Sequence, residues 1–197
     1  MNGDEPRDAS YISSSGLRGR ARAVRPRDAA TLLIVRREGR EPRVLMGRRA
    51  ASHKFMPNKF VFPGGKVDAA DSRIVPPHDL HPDVMQRLCR GCSPIRARAL
   101  ALAAIRETYE ETGLVIGEPH TPTLTSRSRH WADFLRHGIN PRLDVLHLIA
   151  RAITPPYRSR RYDARFFMAD AELIQGDVHE APQGSGELLR LHWVALA

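Results

Sequence analysis

Apolar positions along this chain come in short, dense runs separated by polar, proline-rich and glycine-rich connections. Residues 29–36 (AATLLIVR) form a compact apolar run and predict a buried strand. Glu38, Gly39, Arg40, Glu41 and Pro42 supply turn residues, and 43–49 (RVLMGRR) returns as a second strand. Phe60, Val61 and Phe62 make a short strand that Pro63, Gly64 and Gly65 stop. Further strands are predicted at 114–116, 143–153 (LDVLHLIARAI), 165–168 and 188–194 (LLRLHWV).

The period becomes helical over 94–112. Ser93 is placed to cap this helix, Pro94 fits its first position and Gly113 fits just past its end. Ile95, Leu102, Ile105 and Tyr109 fall on one side and predict its buried stripe. Shorter helices are predicted from Pro82 to Arg90 and over 128–137, where Trp131 and Phe134 at i, i+3 read as packing residues. Pro76, Pro77 and Pro82 break up the stretch before the long helix, so 72–93 reads as a surface insertion outside the core. Strands and helices alternate without a regular β-α-β rhythm, which predicts the α/β class with a mixed sheet flanked by helices. There is no internal repeat.

At 197 residues the chain suits one domain, and 42% hydrophobic against 27% charged residues excludes a disordered chain. No apolar run reaches the length of a membrane span, and the N-terminus lacks the apolar core of a secretory signal. Cys89 and Cys92 are too few for a disulfide framework. A cytoplasmic, reducing location is the expectation. Residues 1–25 read as a flexible Arg-rich arm, and 26–197 as the folded domain.

Lys+Arg 31 against Asp+Glu 22 gives a net charge of +9. Residues 1–27 hold six Arg against three acids, and 127–165 hold nine Arg against three acids, so +3 and +6 account for all of it. Such an excess suits phosphate-bearing partners, although a solvated Arg-rich surface gives the same count. At 6% Phe, Trp and Tyr, the aromatic interleaving of a single-strand binder is missing, and no nucleic-acid partner is expected.

The long helix ends in Arg106, Glu107, Thr108, Tyr109, Glu110, Glu111, Thr112 and Gly113. Glu107, Glu110 and Glu111 stand at i, i+3 and i+4 and share one face. Three like charges near a helix C-terminus repel one another and oppose the helix dipole. A divalent cation would relieve both costs, and hard oxygen donors suit Mg²⁺ or Mn²⁺. The other reading is a solvated acidic face with an Arg106–Glu110 ion pair at i, i+4. Gly64 and Gly65 after a strand let backbone approach a metal or phosphate closely, or make a plain turn.

These residues resemble the box of the Nudix hydrolases. Arg106, Glu107, Glu110, Glu111, Gly113 and Leu114 match its second half, with Thr108 at an apolar position. Its first half starts at Gly65 and reaches Asp71 where the family has Glu. From Asp71 to Arg106 is 35 positions where the family has 8, so 27 residues are inserted inside the box. The strings 62–71 (FPGGKVDAAD) and 161–167 (RYDARFF), together with 26–31 (PRDAAT), are similar to the branch of peroxisomal coenzyme A diphosphatase, which also interrupts its box.

The resemblance covers about 26–197 and implies a Nudix-type α/β/α sandwich with a central mixed sheet. It implies hydrolysis of a nucleoside diphosphate linked to another moiety, a small-molecule substrate, with coenzyme A or acyl-coenzyme A favoured. ADP-ribose, dinucleotides or capped RNA, and a non-catalytic nucleotide-binding module, are the other readings. Glu107 and Glu111 would be the principal Mg²⁺ or Mn²⁺ ligands, with Glu110 close by and the Gly65 carbonyl adding a ligand. Arg106 would brace a box carboxylate, and Asp71 would be a shortened outer group. Arg161 and Arg165 are candidate contacts for the substrate's phosphates, with Arg158 and Arg160 near Tyr157; a solvated loop is the other reading of Arg158, Arg160 and Arg161. The general base varies across the family; Glu187 is a candidate, and a solvated loop acid is its other reading. The family also continues into a further helix beyond 193–197. A four-ligand zinc site from His78, His81, Cys89 and Cys92 is a minor reading beside two unpaired thiols. His147 and His192 alternate with apolar strand residues and read as structural.

Overall fold

The structure is a computed structural model that describes residues 24–37, 41–51, 58–119, 121–122, 124–175 and 188–196. Most of the expected N-terminal arm and Glu187 lie outside the described residues. In chain order the strands and helices are β1 (Arg27–Arg36), β2 (Arg43–Arg49), β3 (Phe60–Val61), β4 (Gly64–Lys66), α1 (Pro82–Cys89), α2 (Pro94–Thr112) and β5 (Val115–Ile116). Then follow β6 (Glu118–Pro119), α3 (Arg129–Leu135), β7 (Ile139–Asn140), β8 (His147–Ile153), β9 (Tyr162–Asp170), β10 (Ile174–Gln175) and β11 (Leu188–Ala195).

The apolar run of β1 is central because both its edges are paired. The sheet order is β11-β2-β1-β9-β8, with β3 on β2 and β4 on β1. β1 runs parallel to β9 and antiparallel to β2 and β4, so the sheet is mixed. Ala30, Leu32 and Ile34 of β1 are closed to solvent and meet α2. α1 and α3 pack in turn against α2. The short pairs β5–β10 and β6–β7 complete the fold.

α2 is buried almost all round rather than along one stripe. Every residue from Leu100 to Ile105 is 0% exposed, whereas Ile95, expected in the stripe, is 63% exposed. Four alanines in 99–104 explain this: small side chains let the sheet and the outer helices approach the same helix closely, at no cost in helix propensity. Ser93 caps the start through the Arg96 N–H at 3.3 Å. Gly113 closes the end in the left-handed region at φ 76°. Thr108 and Thr112 are buried too, and donate their hydroxyls to the carbonyls of Ala104 and Thr108 at 2.7 and 2.6 Å. That back-bonding is how a threonine occupies an apolar slot.

Two expectations are corrected. Gly64 and Gly65 do not simply end a strand: they form β4, with Gly64, Gly65 and Lys66 opposite Thr31, Ala30 and Ala29. A Cβ on Gly64 would overlap the Ala30 carbonyl oxygen, and Gly64 sits at φ 152°, so only glycine fits this approach. The stretch 72–93 adds no strand to the sheet, but it does join the core. Ile74, Leu80, Val84 and Leu88 are at most 6% exposed and belong to the main apolar cluster. Val84 and Leu88 stand at i, i+4 on α1, an amphipathic helix that buries this face against the rest of the core.

Candidate active site

The last two turns of α2 lie beside β4, so it is the C-terminal half of the helix, not its start, that meets Gly64 and Gly65. Glu111 is 5% exposed, and its Oε2 accepts the Gly64 N–H at 2.9 Å. Glu107, one turn earlier, lies over Gly65: a Cβ there would overlap the Glu107 carboxylate. Two carboxylates at i and i+4 thus rest on two successive glycines.

Arg106 is the hub. It is 4% exposed and grips Asp71, which is 0% exposed, through Nε and Nη2 at 2.8 and 3.0 Å. Its Nη1 donates to Glu107 Oε1 at 3.1 Å and to Glu110 Oε1 at 2.8 Å, and Nη2 also donates to the Lys66 carbonyl at 2.9 Å. The Arg106–Glu110 pair of the solvated-face reading is present, but on a buried guanidinium. Glu110 also meets His130 Nδ1 at 3.1 Å. Beside it the Tyr109 hydroxyl donates to the Asp133 carbonyl and contacts His137 Nε2, both at 3.1 Å.

Burial opposes the charge of Arg106, but Asp71, Glu107 and Glu110 outweigh it and hold its pKa above the ordinary arginine range. Burial pushes the Glu107 carboxyl above the usual carboxylate range. Arg106 pulls it the other way, and Glu110 and Asp71 add to the rise.

Among the described residues, no three His, Cys, Asp or Glu side chains gather tightly enough to hold a metal ion by themselves. Glu110 is turned onto Arg106 and His130, which leaves Glu107 and Glu111 as the paired carboxylates of the helix face. That donor set fits Mg²⁺, which keeps several waters and takes one or two carboxylates plus substrate phosphate oxygens. It is all oxygen, with the main chain of Gly64 and Gly65 alongside, and its half-buried Glu107 would be relieved by a cation.

The other candidates are not brought to this end of α2. Arg165 is corrected as a substrate contact. It is 2% exposed, donates to the Asp163 carboxylate and carbonyl, and lies toward Cys92 ahead of the start of α2. The residues facing α2 from β9 include Asp163 and Arg165, which bury each other's charge. Arg161 donates to the carbonyls of Thr154 and Val24 at 2.9 and 2.6 Å. Arg158 stacks over Tyr157 at 5.4 Å. Cys89 and Cys92 are free thiols, while His81 caps α1 and His78 pairs with Glu118, so the zinc set is not assembled. His147 and His192 are exposed, the latter edge-on to Phe60. The contact that the sequence did not signal is Trp131, whose Nε1–H donates to Asp71 Oδ1 at 2.9 Å across 60 positions.

No protein-family model matches the chain. A segment of 89 residues, 45% of the chain, is 33% identical to a Caenorhabditis elegans protein named as nudix hydrolase 7, and spans only 22% of that protein. The NUDIX hydrolase of Alicyclobacillus acidocaldarius is 26% identical, with a TM-score of 0.61 over 86% of this chain and 79% of that one. The chain has the Nudix hydrolase fold. The two likenesses together support the Nudix hydrolase family. The MutT NUDIX hydrolase of Burkholderia pseudomallei matches over 87% of this chain and 84% of that one, at 19% identity and a TM-score of 0.47. No helix among the described residues is long and apolar enough to cross a membrane.

Proposed function

We propose that the chain is a Mg²⁺- or Mn²⁺-dependent diphosphatase. It would cleave a nucleoside diphosphate linked to another moiety, with coenzyme A or acyl-coenzyme A favoured. The observation that carries the reading is the pair Glu107 and Glu111 laid on Gly65 and Gly64 at the end of a buried helix. A solvated acidic face would have no reason to bury these carboxylates against glycine backbone.

The divalent cation, when bound, would neutralise diphosphate charge and make water a stronger nucleophile near neutral pH. Glu107 and Glu111 would hold it, with the carbonyl at Gly65 beside them. The Gly64 N–H orients the Glu111 carboxylate. Arg106 orients Glu107 and Glu110. In the reaction water adds at one phosphorus, the bridging P–O bond breaks, and each product keeps one phosphate of the former diphosphate. For coenzyme A these are a 3′,5′-phosphorylated adenosine and a phosphopantetheine.

The coenzyme A preference rests on the resemblance of 62–71 and 161–167 and on exposed arginines near the site. With Arg165 buried, that second support moves to α3. Arg129 and Arg136 are 90% and 66% exposed there, on the helix whose His130 meets Glu110. A guanidinium pairs well with a terminal phosphate. Coenzyme A, dephospho-coenzyme A and ADP-ribose are compared at equal concentration with Mg²⁺, and products identified by mass. Coenzyme A is expected to turn over fastest, and the gap to dephospho-coenzyme A to narrow at high salt. ADP-ribose faster by tenfold, about 1.4 kcal/mol in the barrier, overturns the substrate. No Mg²⁺-dependent turnover of any such compound overturns the activity.

A further inference from the structure

We propose that Trp131 is a positioning residue of the acidic site. Its indole N–H fixes Asp71, which sets the guanidinium of Arg106 and through it Glu107 and Glu110. The inference rests on the hydrolase reading for its consequence in turnover, but its geometry stands on the described residues alone.

Asp71 is fully closed to solvent and receives four donors. Oδ1 accepts from Arg106 Nε at 2.8 Å and Trp131 Nε1 at 2.9 Å; Oδ2 accepts from the Asp68 N–H at 2.8 Å and Arg106 Nη2 at 3.0 Å. An ionised carboxylate offers about four lone-pair sites, so every one is filled and the group has no freedom to turn. Two donors belong to the residue that Asp71 holds, and one to its own turn. The fourth comes from α3, an element that follows the acidic helix and lies outside the box. Trp131 is itself 0% exposed and packed edge-on to Phe134 at 5.5 Å, so its ring cannot swing away. The next residue back, His130, contacts Glu110. α3 therefore reaches Arg106 from two sides: through Asp71 behind the guanidinium and through Glu110 in front.

The test is Trp131→Phe, which keeps an aromatic ring against Phe134 and removes the N–H. Mn²⁺ affinity is measured by titrating the substrate-free protein, and is expected to weaken about tenfold, as for other groups that orient metal ligands. kcat is expected to fall by a similar factor with the nucleotide KM changed less than about twofold. In an Asp71→Asn background the same substitution is expected to add little, because the link is already weakened. A folded Trp131→Phe protein with wild-type Mn²⁺ affinity and kcat overturns the proposal. So does an effect of equal size in both backgrounds, the mark of packing alone, and so does a wild-type protein that binds no Mn²⁺. If Trp131→Phe does not fold, Trp193→Phe leaves Trp131 as the one indole. Its N–H resonance is expected to shift on adding Mg²⁺ and to lose that shift with Asp71→Asn; an unmoved resonance overturns the proposal. Absent turnover with an intact Mn²⁺ cycle would sink the hydrolase reading and leave the positioning role standing.

Discussion

Asp71 and Arg106 stand 35 positions apart and meet as a two-bonded pair at 2.8 and 3.0 Å, both almost sealed from solvent. The residues that separate them in sequence leave this pair intact in space. The chain makes a turn at 68–71 and passes through α1 before α2 returns alongside β4. The turn is tied by the Asp68 side chain accepting the Ala70 N–H at 2.7 Å and by Asp71 accepting the Asp68 N–H.

Asp71→Ala is therefore expected to damage the fold as well as the site. It takes the two-bonded partner from a nearly sealed Arg106, leaving Glu107, Glu110 and the Lys66 carbonyl to hold the guanidinium, and it leaves the Trp131 N–H without its acceptor. Breaking a buried pair from one side costs about 3–5 kcal/mol. Urea unfolding should show a loss of that order, and a loss below about 1 kcal/mol would mean that solvent reaches Arg106.

The two glycines of β4 should respond differently to alanine. At Gly64 the new Cβ overlaps the backbone oxygen of Ala30 at a φ that L-residues avoid, so Gly64→Ala should lower stability markedly. At Gly65 the overlap is with the Glu107 carboxylate, the free end of a flexible side chain that can swing aside. Gly65→Ala should fold nearly as well as wild type yet lose turnover and Mn²⁺ affinity, because the displaced group is the proposed ligand. Unfolding midpoints and Mn²⁺ titration of both variants check this contrast, and equal behaviour would contradict it.

What the sequence made legible was local. Ser93, Pro94 and Gly113 carry their own capping chemistry, and they bound α2 at the expected residues. The acidic face follows from helical spacing alone. β4 escaped because its pairing depends on a glycine approach to β1 that leaves no apolar signature. Arg165 read as a surface charge because nothing local shows which face of β9 it takes; on the face it shares with Phe167, Asp163 compensates it. Trp131 read correctly as a buried ring, but its polar atom finds Asp71 only through the tertiary fold.

Glu111→Gln separates ligand charge from shape. The amide keeps an oxygen for the Gly64 N–H and changes volume little, so thermal unfolding should stay close to wild type. Turnover should fall by about two orders of magnitude or more, since a proposed anionic ligand becomes neutral. Near-normal kcat in the folded variant would remove Glu111 from the site.

Away from the acidic end, Asp163 should give the fold a measurable acid sensitivity. Its carboxylate accepts from Arg151 Nε and Nη2, both at 2.8 Å, and from the buried Arg165. Arg151 first, against the opposing effect of burial, then Arg165 and Arg96, hold its pKa below the ordinary aspartate range; Asp28 and Cys92 lie in the same cluster. A carboxyl with a depressed folded pKa adds stability that is fully present above its unfolded value, about pH 4, and drains away as pH falls through the folded value. Asp163→Asn removes that contribution at every pH and leaves Arg165, 2% exposed, with a neutral partner. The variant should be less stable than wild type by about 2–4 kcal/mol at pH 7. The gap should hold constant down to about pH 5 and close below about pH 4 as the wild-type carboxyl takes up its proton. Urea titrations of both proteins between pH 7 and pH 3 measure it; a gap that stays constant to pH 3, or widens, would show that Asp163 is not ionised against these arginines.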